Sequence, residues 1–443
     1  MVVTPTTEEA VSAVVVLANE MQFAIIPRGG GSGLTGGAIP ARKRSVILSL
    51  TKLNRILEIN REERTLSAEA GVITMDAVNA AAEKGLLLSI DPASKTASCI
   101  GGNVAENSGG VHCLKYGLTL HNVLRVRGFT VEGEPVAFGG AALDVPGYDL
   151  LALITGSEGM LAVITEVTVR LLPKPTLARC ALASFPSIET AGDAVASIIA
   201  AGIIPAGLEL MDKPMTAAVE AFVHAGYDLD AAAILLCESD GTPEEVQEEI
   251  ERISQVLTEA GATRIAVSRD EAERLKFWSG RKNAFPATGR ISPDYMCMDS
   301  TIPRWRLAEM LLAIAGMQAR YGLRCCNVFH AGDGNLHPLI LFDAGDPGQL
   351  RRAERFGADI LETSVRLGGT VTGEHGVGVE KLDSMCVQFS PEENAQMLGV
   401  KLAFDPPGLL NPGKAIPTAY RCVEYGRLLV RGGLLPHPEL ERF

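Results

Sequence analysis

The sequence lacks several features that would place a protein in a class at once. No uninterrupted apolar run reaches the ~18 residues that a membrane-spanning helix requires, and the start has neither the basic nor the apolar region of a signal peptide. The nine cysteines show no CxxC spacing, which favours buried thiols over disulfides and excludes the grouped thiolates of an iron–sulfur cluster. We therefore expect a cytoplasmic chain with no membrane insertion and no cluster of its own.

Positive charge is also scarce, since 40 Lys and Arg residues face 53 Asp and Glu residues and leave a net charge of −13. Such a surface repels the phosphates of nucleic acids and anionic lipids, so we expect neither as a partner. With 443 residues and 47% hydrophobic content, the chain is long enough for two or three buried cores.

A Pro-Lys-Pro segment at 173–175 interrupts regular structure and predicts the main domain boundary. Before it, residues 8–21 have helical spacing with Thr6 or Thr7 as N-cap, and mixed structure continues with a helix over 75–84 and a strand over 161–172. After it, strands such as 231–237 alternate with amphipathic helices such as 243–260. This alternation predicts an antiparallel sheet covered by helices on one side.

What the sequence has in abundance is glycine, most densely from Arg28 to Gly37. Glycine has no Cβ and reaches positive φ, so such a loop exposes backbone N–H groups that suit a pyrophosphate. Its spacing matches GxGxxG, but that fingerprint requires a following helix, and Pro40 and the basic cluster at 42–44 lead directly to the next strand. The loop therefore predicts a nucleotide site that is not of the Rossmann type, with a ligand-free surface turn as the alternative.

Further motifs follow this loop in a fixed order. They are the segments 91–94, 100–110, 155–159, 281–283, 330–337, 373–376 and 411–414. Together they resemble the FAD-linked oxidases of the vanillyl-alcohol-oxidase/PCMH type. Within that family, they resemble the group that contains the FAD-binding subunits of glycolate oxidase and the D-lactate and D-2-hydroxyglutarate dehydrogenases.

The resemblance implies an α+β architecture in three parts. A PCMH-type FAD-binding domain over 1–172 would consist of two α/β subdomains, about 1–60 and 61–172. A substrate or cap domain with an antiparallel sheet and helices would cover 173–404. A C-terminal segment, 405–443, would return to the FAD domain.

The resemblance also implies which residues bind FAD. Several members of the family attach FAD covalently through a histidine of the first glycine loop. This loop has no histidine and the first one in the chain is His112, so we expect non-covalent binding, with attachment beside His112 as the alternative. The expected cofactor-binding residues are Arg28, Gly29, Gly30, Gly31, Ser32, Gly33, Leu34, Pro92, Ser94, Gly101, Gly102, Asn103, Asn107, Ser108, Gly109, Glu158, Ile164 and Asn411.

Three of the seven histidines stand in two short motifs. His330 ends an apolar strand and His337 begins the next one, and the Gly-Asp-Gly-Asn between them is a tight-turn sequence. A hairpin there would bring both imidazoles to one side, and Gly373–Gly376 supplies Glu374 and His375. Two imidazoles and a carboxylate suit a divalent ion such as zinc; ordinary turn or core histidines are the alternative.

In the family that the motifs resemble, the residues at these positions have different roles in metal binding, proton transfer and substrate binding. The matching residues imply that His330, His337 and Glu374 hold a divalent metal, zinc or a similar ion, which lowers the pKa of a substrate hydroxyl. His375 would be the base, and Arg281 would bind the substrate carboxylate. Cys297 stands where the D-2-hydroxyglutarate branch has a lysine, which favours a small monocarboxylate.

The expected reaction is the FAD-dependent oxidation of a small 2-hydroxy acid, glycolate to glyoxylate and also D-lactate to pyruvate, by hydride transfer to the flavin. The resemblance implies the catalytic subunit of a glycolate oxidase-type complex, with a separate iron–sulfur subunit and a second FAD-domain subunit as partners. Membrane association would then come only through those partners. Two alternatives stay open, a stand-alone D-lactate dehydrogenase and a metal-dependent hydrolase built on the two histidines and Glu374.

Overall fold

The structure, a computed structural model, describes residues 1–142 and 146–417. Residues 418–443, which belong to the predicted C-terminal segment, lie outside the described residues. None of the helices in the described ranges combines the length and the apolar character that crossing a bilayer requires.

The glycine loop belongs to a small parallel sheet at the start of the chain. The strand order is Val2–Val3, Ser45–Ser49, Ala24–Arg28. The loop runs from the strand Ala24–Arg28 to the parallel strand Ser45–Ser49 without a helix. The prediction that this loop is not a Rossmann crossover is therefore confirmed.

The helix Glu8–Met21 covers this sheet, and its bounds are those that the spacing predicts. The Thr7 hydroxyl accepts the N–H of Ala10 and caps the helix. Two glutamates occupy the first turn, where their negative charges interact favourably with the positive end of the helix dipole. Its buried face, formed by Val11, Val15 and Ala18, packs into the core of this part of the chain.

A five-stranded antiparallel sheet completes the amino-terminal part. Its order is Ile56–Asn60, Thr65–Glu69, Val163–Arg170, Val123–Phe129, Pro135–Gly139, and Leu86–Leu87 pairs separately with Leu172–Pro173. The associated helices are Thr74–Ala82, Ile100–Glu106, Cys113–Tyr116 and Leu150–Ile154. The helix predicted over 75–84 and the strand predicted over 161–172 are both present with slightly different bounds.

The second part is built on a large antiparallel sheet. Its order in the described residues is Arg264–Val267, Leu177–Phe185, Ala233–Gly241, Gly207–Asp212, Cys325–His330, Asn335–Phe342, Asp294–Cys297, and Ser300–Thr301 also pairs with Asn335–Phe342. The helices of this part are Ile188–Ala200, Lys213–Val223, Pro243–Glu259, Glu271–Lys282, Ala284–Thr288, Leu307–Tyr321, Pro347–Arg366, Leu382–Gln388 and Pro391–Phe404.

Helices cover both faces of this sheet, so the expectation of helices on one side is wrong. In the strand Ala233–Gly241, Leu235 belongs to the core that contains Ile250, whereas its neighbour Leu236 belongs to a separate core that contains Trp278. Successive strand residues point to opposite faces. A strand that is buried on both faces has a continuous apolar run in its sequence. The apolar run in this strand is therefore explained by helices on both faces of the sheet.

Two further observations concern the chain as a whole. Leu410 forms a parallel bridge with Ile25, and the Ile25 N–H donates to the Leu409 carbonyl at 2.8 Å, so the chain returns to the first sheet at this point. Seven cysteines of the described residues are free thiols, as expected.

Candidate active site

A cavity of about 300 Å³ lies between the amino-terminal part and the large sheet. Of the residues predicted for the site, all except Asn107 and Gly109 line it. They are Arg28, Gly29, Gly30, Gly31, Ser32, Gly33, Leu34, Pro92, Ser94, Gly101, Gly102, Asn103, Ser108, Glu158, Ile164, Arg281, His330, His337, Glu374, His375 and Asn411.

One wall of this cavity, which we call the glycine cradle, consists of the loop 28–37 and the start of the helix Ile100–Glu106. A Cβ at Gly30 would lie 2.0 Å from the Ala97 carbonyl oxygen, so the loop packs backbone against backbone there. Gly31 has φ +71°, and a Cβ at Gly102 would meet no atom within 4 Å. The side of the cradle that faces the protein is thus tightly packed, and the side that faces the cavity is open. This shape fits an enclosed dinucleotide such as FAD.

Three of the predicted cofactor contacts have side chains that are engaged within the protein. Asn103 donates to the Thr74 hydroxyl at 2.8 Å, and the Asn107 side-chain oxygen accepts the N–H of Leu120 at 2.9 Å. The Glu158 carboxylate accepts the N–H groups of residues 377 and 378 at 2.7 and 2.8 Å. The backbone N–H groups of the same three residues are bonded to carbonyls of the protein as well, so these residues shape the wall of the site.

The two motif histidines lie on adjacent strands, Cys325–His330 and Asn335–Phe342, which form the predicted hairpin. In its register His330 pairs with Asn335 and Val328 pairs with His337, so the two histidines are diagonal neighbours on one face. Their ring centroids are 5.0 Å apart. The prediction that a tight turn brings the two imidazoles together is confirmed.

Glu374 completes a donor cluster with these histidines. Its Oε1 lies 2.9 Å from His337 Nε2 and 3.3 Å from His330 Nε2, and one donor atom from each residue falls within 4.8 Å of the others. His337 Nδ1 is buried without a hydrogen-bond partner. Although burial opposes its charge, the two histidines hold the pKa of the Glu374 carboxyl well below its usual range. An anionic carboxylate beside two imidazoles fits a catalytic divalent metal.

A second donor set, Cys297, His337 and His375, also lies within 4.8 Å. Burial raises the pKa of the Cys297 thiol well above its ordinary value, so this sulfur is protonated at neutral pH. Because the metal ligand is the thiolate, the set with Glu374 fits an ion better.

His375 stands against the donor cluster. Its ring stacks on that of His337, with centroids 5.0 Å apart and planes 5° from parallel. Burial lowers the pKa of His375 below its ordinary value, so the imidazole is neutral at pH 7. A neutral imidazole that lines the cavity can accept a proton from a ligand there.

Arg281 brings a buried positive charge to the site. It comes from the last turn of the helix Glu271–Lys282, which we call the arginine helix, and it is 5% exposed. Its Nε donates to Glu209 Oε2 at 2.5 Å, and its Nη2 lies 3.3 Å from His330 Nδ1. The guanidinium therefore borders the donor cluster and lines the same cavity.

Sequence reasoning missed the carboxylates that hold these groups. Asp299 accepts the backbone N–H groups of Gly373, Glu374 and His375 at 3.0–3.3 Å, and Lys381 Nζ lies 2.9 Å from it. Glu209 pairs with Arg281 and His330. A charged residue between apolar neighbours, such as Glu209 between two leucines, is the signal that could have revealed them.

Glu106 is a further cavity residue that the motifs did not single out. Its Oε2 is buried without a hydrogen-bond partner. Burial, together with the neighbouring Glu158 carboxylate, raises the pKa of Glu106 well above its ordinary value.

Fold and cavity define a protein that encloses a nucleotide cofactor against acid–base and donor groups, as flavin-dependent enzymes do. Two family models match the sequence. The FAD binding domain matches residues 1–139, and the C-terminal domain of FAD linked oxidases matches residues 174–415. The chain belongs to the FAD-linked oxidases, and it is an oxidoreductase with an FAD-binding domain, as its motifs predict.

Curated relatives span almost the whole chain. It is 55% identical to glycolate oxidase subunit GlcD of Escherichia coli (strain K12), over 100% of this chain and 89% of that protein. It is 39% identical to the subunit of the same name from Bacillus subtilis (strain 168), over 93% and 88%. A D-lactate dehydrogenase of Anaerostipes hadrus is 33% identical, over 94% and 89%.

Solved structures agree in fold. p-Cresol methylhydroxylase with substrate bound superposes with a TM-score of 0.78 at 18% identity, covering 95% of this chain and 89% of that one. Alkyldihydroxyacetonephosphate synthase gives a TM-score of 0.72 at 20% identity, covering 93% and 75%. At these identities the likeness concerns the fold alone, and it agrees with the predicted α+β, PCMH-type architecture.

Proposed function

We propose that this chain oxidises a small 2-hydroxy acid, converting glycolate to glyoxylate and D-lactate to pyruvate. The observation that carries the proposal is one shared cavity in which neutral His375, buried Arg281 and the donor cluster face the glycine cradle. The relatives named as glycolate oxidase subunits and D-lactate dehydrogenase support this substrate class.

In this proposal the chain's own residues bind and orient the substrate. Arg281 is the buried cation of the cavity, and its guanidinium offers planar N–H groups to the substrate carboxylate. His375 accepts the hydroxyl proton on an imidazole nitrogen, for which its lowered pKa keeps it neutral. FAD, held non-covalently by the cradle, supplies the acceptor for the two electrons and the α-hydrogen.

We further propose that His330, His337 and Glu374 hold a divalent ion, zinc or a similar metal. The support is the donor chemistry, the spacing within 4.8 Å and the unpartnered His337 ring nitrogen. Such an ion, when bound, lowers the pKa of a substrate hydroxyl. His330 and His337 are fixed by the hairpin, and Glu374 is fixed by its loop, so the chain holds the three donors in position beforehand.

Substrate size follows from Cys297 in this proposal. The residue lies within 4.8 Å of the ring nitrogens of His337 and His375, and its thiol is neutral because burial raises its pKa. A neutral group there gives no partner to a second carboxylate. Monocarboxylates are therefore preferred over dicarboxylates such as D-2-hydroxyglutarate.

We propose the same three-part organisation and assembly that the motifs imply. The FAD-binding domain would be 1–172, the cap domain 173–404, and 405–443 would return to the FAD domain, an arrangement that the Ile25–Leu410 bridge supports. The name of the relatives, glycolate oxidase subunit, supports a complex. Its partners would be an iron–sulfur subunit and a second FAD-domain subunit.

The test is an anaerobic visible spectrum of the purified chain, titrated with glycolate and then with D-lactate. We expect a flavin spectrum that bleaches with substrate in the wild type and stays oxidised in His375→Ala. A flavin that stays oxidised with both acids in the wild type would reject the substrate assignment. More efficient turnover of a dicarboxylate than of glycolate would reject the role of Cys297.

The Anaerostipes hadrus relative favours a second candidate, a stand-alone D-lactate dehydrogenase. The two functions differ in partners, so affinity purification from the native host separates them. Iron that co-purifies with the chain supports the complex, whereas an iron-free chain that reduces quinone with D-lactate supports the stand-alone enzyme.

A further inference from the structure

Glu209 is a buried carboxylate on the central strand Gly207–Asp212, and it is 0% exposed. Each of its oxygens has a different partner. Oε2 accepts the N–H of Arg281 Nε at 2.5 Å, and Oε1 lies 2.8 Å from His330 Nδ1. No other residue described in the structure is bonded to both of these groups.

The arrangement determines which atoms Arg281 and His330 present to the cavity. Because Nε is bonded to Glu209 and Nη2 lies against the His330 ring, Nη1 is the guanidinium nitrogen left for a ligand. Because His330 Nδ1 donates to the Glu209 carboxylate, Nε2, which lies 3.3 Å from Glu374 Oε1, is the ring nitrogen left to bind a metal ion. A hydrogen bond at one imidazole nitrogen is the usual way in which a protein sets the tautomer of a metal-binding histidine.

We propose that Glu209 is a positioning residue that couples the carboxylate-binding Arg281 to the metal-binding His330. This inference rests on the proposed function. It adds that one side chain orients both binding groups, so that its loss lowers the affinity for the substrate carboxylate and the affinity for the metal ion together. Glu209 does not itself line the cavity, so it acts through these two residues.

A purely structural role for Glu209 predicts a different result. Burying a carboxylate is costly unless it is paired, and a residue that only neutralised Arg281 would affect folding and substrate binding but not metal affinity. The second bond, to His330, is what separates the two roles. The readouts must therefore include metal affinity measured without substrate.

The experiment compares Glu209→Gln with the wild type as FAD-loaded full-length protein. Glutamine keeps the shape and one acceptor oxygen. We expect zinc affinity, measured by competition with a chromophoric chelator, to fall by ~10–100-fold, and the KM for glycolate to rise by at least ~10-fold. The value of kcat should change less, because both effects concern binding.

Glu69→Gln is the matched control. Glu69 is also a buried carboxylate paired with an arginine, since it accepts from Arg55 Nε at 3.0 Å and Nη2 at 2.7 Å, but Arg55 and Glu69 do not line the cavity. We expect its zinc affinity and KM to match the wild type. If Glu209→Gln folds poorly, Glu209→Asp, which keeps the charge, should lose zinc affinity without losing expression.

The outcomes separate this inference from the proposed function. Unchanged zinc affinity in Glu209→Gln overturns the inference even if glycolate is oxidised. If the wild type oxidises no hydroxy acid but Glu209→Gln still binds zinc more weakly than the wild type does, the proposed substrate is rejected and the role of Glu209 at His330 is kept. A wild type that binds no zinc overturns the inference, since there is then no ion for His330 to bind.

Discussion

The glycine cradle and the donor cluster face each other across one cavity, yet they are built on opposite principles. The cradle is formed by backbone, and its defining property is missing side chains, as at Gly30 and Gly102. The donor cluster is formed by side chains, and buried carboxylates hold two of its members, since Glu209 contacts the His330 ring and Asp299 accepts the backbone N–H of Glu374. The comparison indicates that cofactor affinity and turnover depend on separable sets of residues.

The comparison is tested most severely by Asp299→Asn. This substitution removes the charge that pairs with buried Lys381 and weakens the acceptor for three N–H groups of the loop that carries Glu374 and His375. We expect about 3–5 kcal/mol less stability and a loss of turnover. Thermal unfolding followed by circular dichroism measures the first effect.

Asp359→Asn controls for the loss of an aspartate–cation pair. Its partner Arg320 is 63% exposed in side chain, and exposed pairs contribute about 0–1 kcal/mol. Flavin content of the folded Asp299→Asn protein should remain near one per chain. A folded variant that has lost its flavin would show that cradle and cluster are not separable.

The next effect in size concerns Glu374→Gln. Removal of this carboxylate from the donor cluster should abolish bound zinc and lower kcat/KM by at least ~10²-fold, while flavin absorbance per chain stays unchanged. Elemental analysis and the visible spectrum of the same sample provide both readouts. Full activity in a zinc-free variant would refute the metal-binding role of the cluster.

The reciprocal test is Gly102→Ala. The new methyl group meets no protein atom within 4 Å and improves helix propensity by up to ~1 kcal/mol, so the apoprotein should be as stable as the wild type or more stable. It occupies space at the cavity wall, and we expect the Kd for FAD to rise by at least ~10-fold.

Fluorescence quenching of FAD during titration with apoprotein measures this change. Gly316→Ala, in the helix Leu307–Tyr321, also meets no atom within 4 Å and should leave the Kd unaltered. Equal FAD affinity in Gly102→Ala and the wild type would remove this glycine from the cradle.

The last test concerns His112, which lies between the amino-terminal part of the chain and the arginine helix. Its ring lies 2.8 Å from Asp91, the neighbour of the cavity residue Pro92, and 3.5 Å from Glu238. Arg274 and Trp278 of the arginine helix donate to Glu238. Although burial opposes its charge, the two carboxylates raise the pKa of His112 to about 9.

A pKa raised above the unfolded value of ~6.5 stabilises the protein fully below that pH, and the contribution is lost as the pH rises through about 9. The stability difference between wild type and His112→Gln should therefore be on the order of 2 kcal/mol near pH 6 and should shrink towards pH 10. Thermal unfolding at several pH values measures it. A difference that grows with pH would reject the assigned charge state.

The sequence predicts the two regions to different extents for physical reasons. The cradle depends on residues that are close in sequence, so the glycine pattern and the absence of a helix after it are readable. The hairpin of His330 and His337 is local too. Glu209 lies 121 positions from His330 and 72 from Arg281, and only tertiary folding shows that they meet.

The antiparallel pairing of the large sheet was predicted correctly, but the placement of its helices on one face was wrong for a related reason. A continuous apolar run such as residues 233–237 indicates burial on both faces, but the order of strands and the position of helices depend on long-range packing. The roles of the individual site residues rest on motif resemblance, and the substitutions above are their direct tests.

The return of the chain at Leu410 and Asn411 has a consequence for biosynthesis. The Asn411 amide donates to the Gly37 carbonyl across a sequence separation of 374 residues, so this side of the cradle is completed long after the glycine loop leaves the ribosome. At ~5–20 residues per second, that delay is roughly 20–75 s. Stable capture of FAD is therefore a late event of synthesis, and a nascent chain that stalls before residue 411 exposes an unfinished cofactor site.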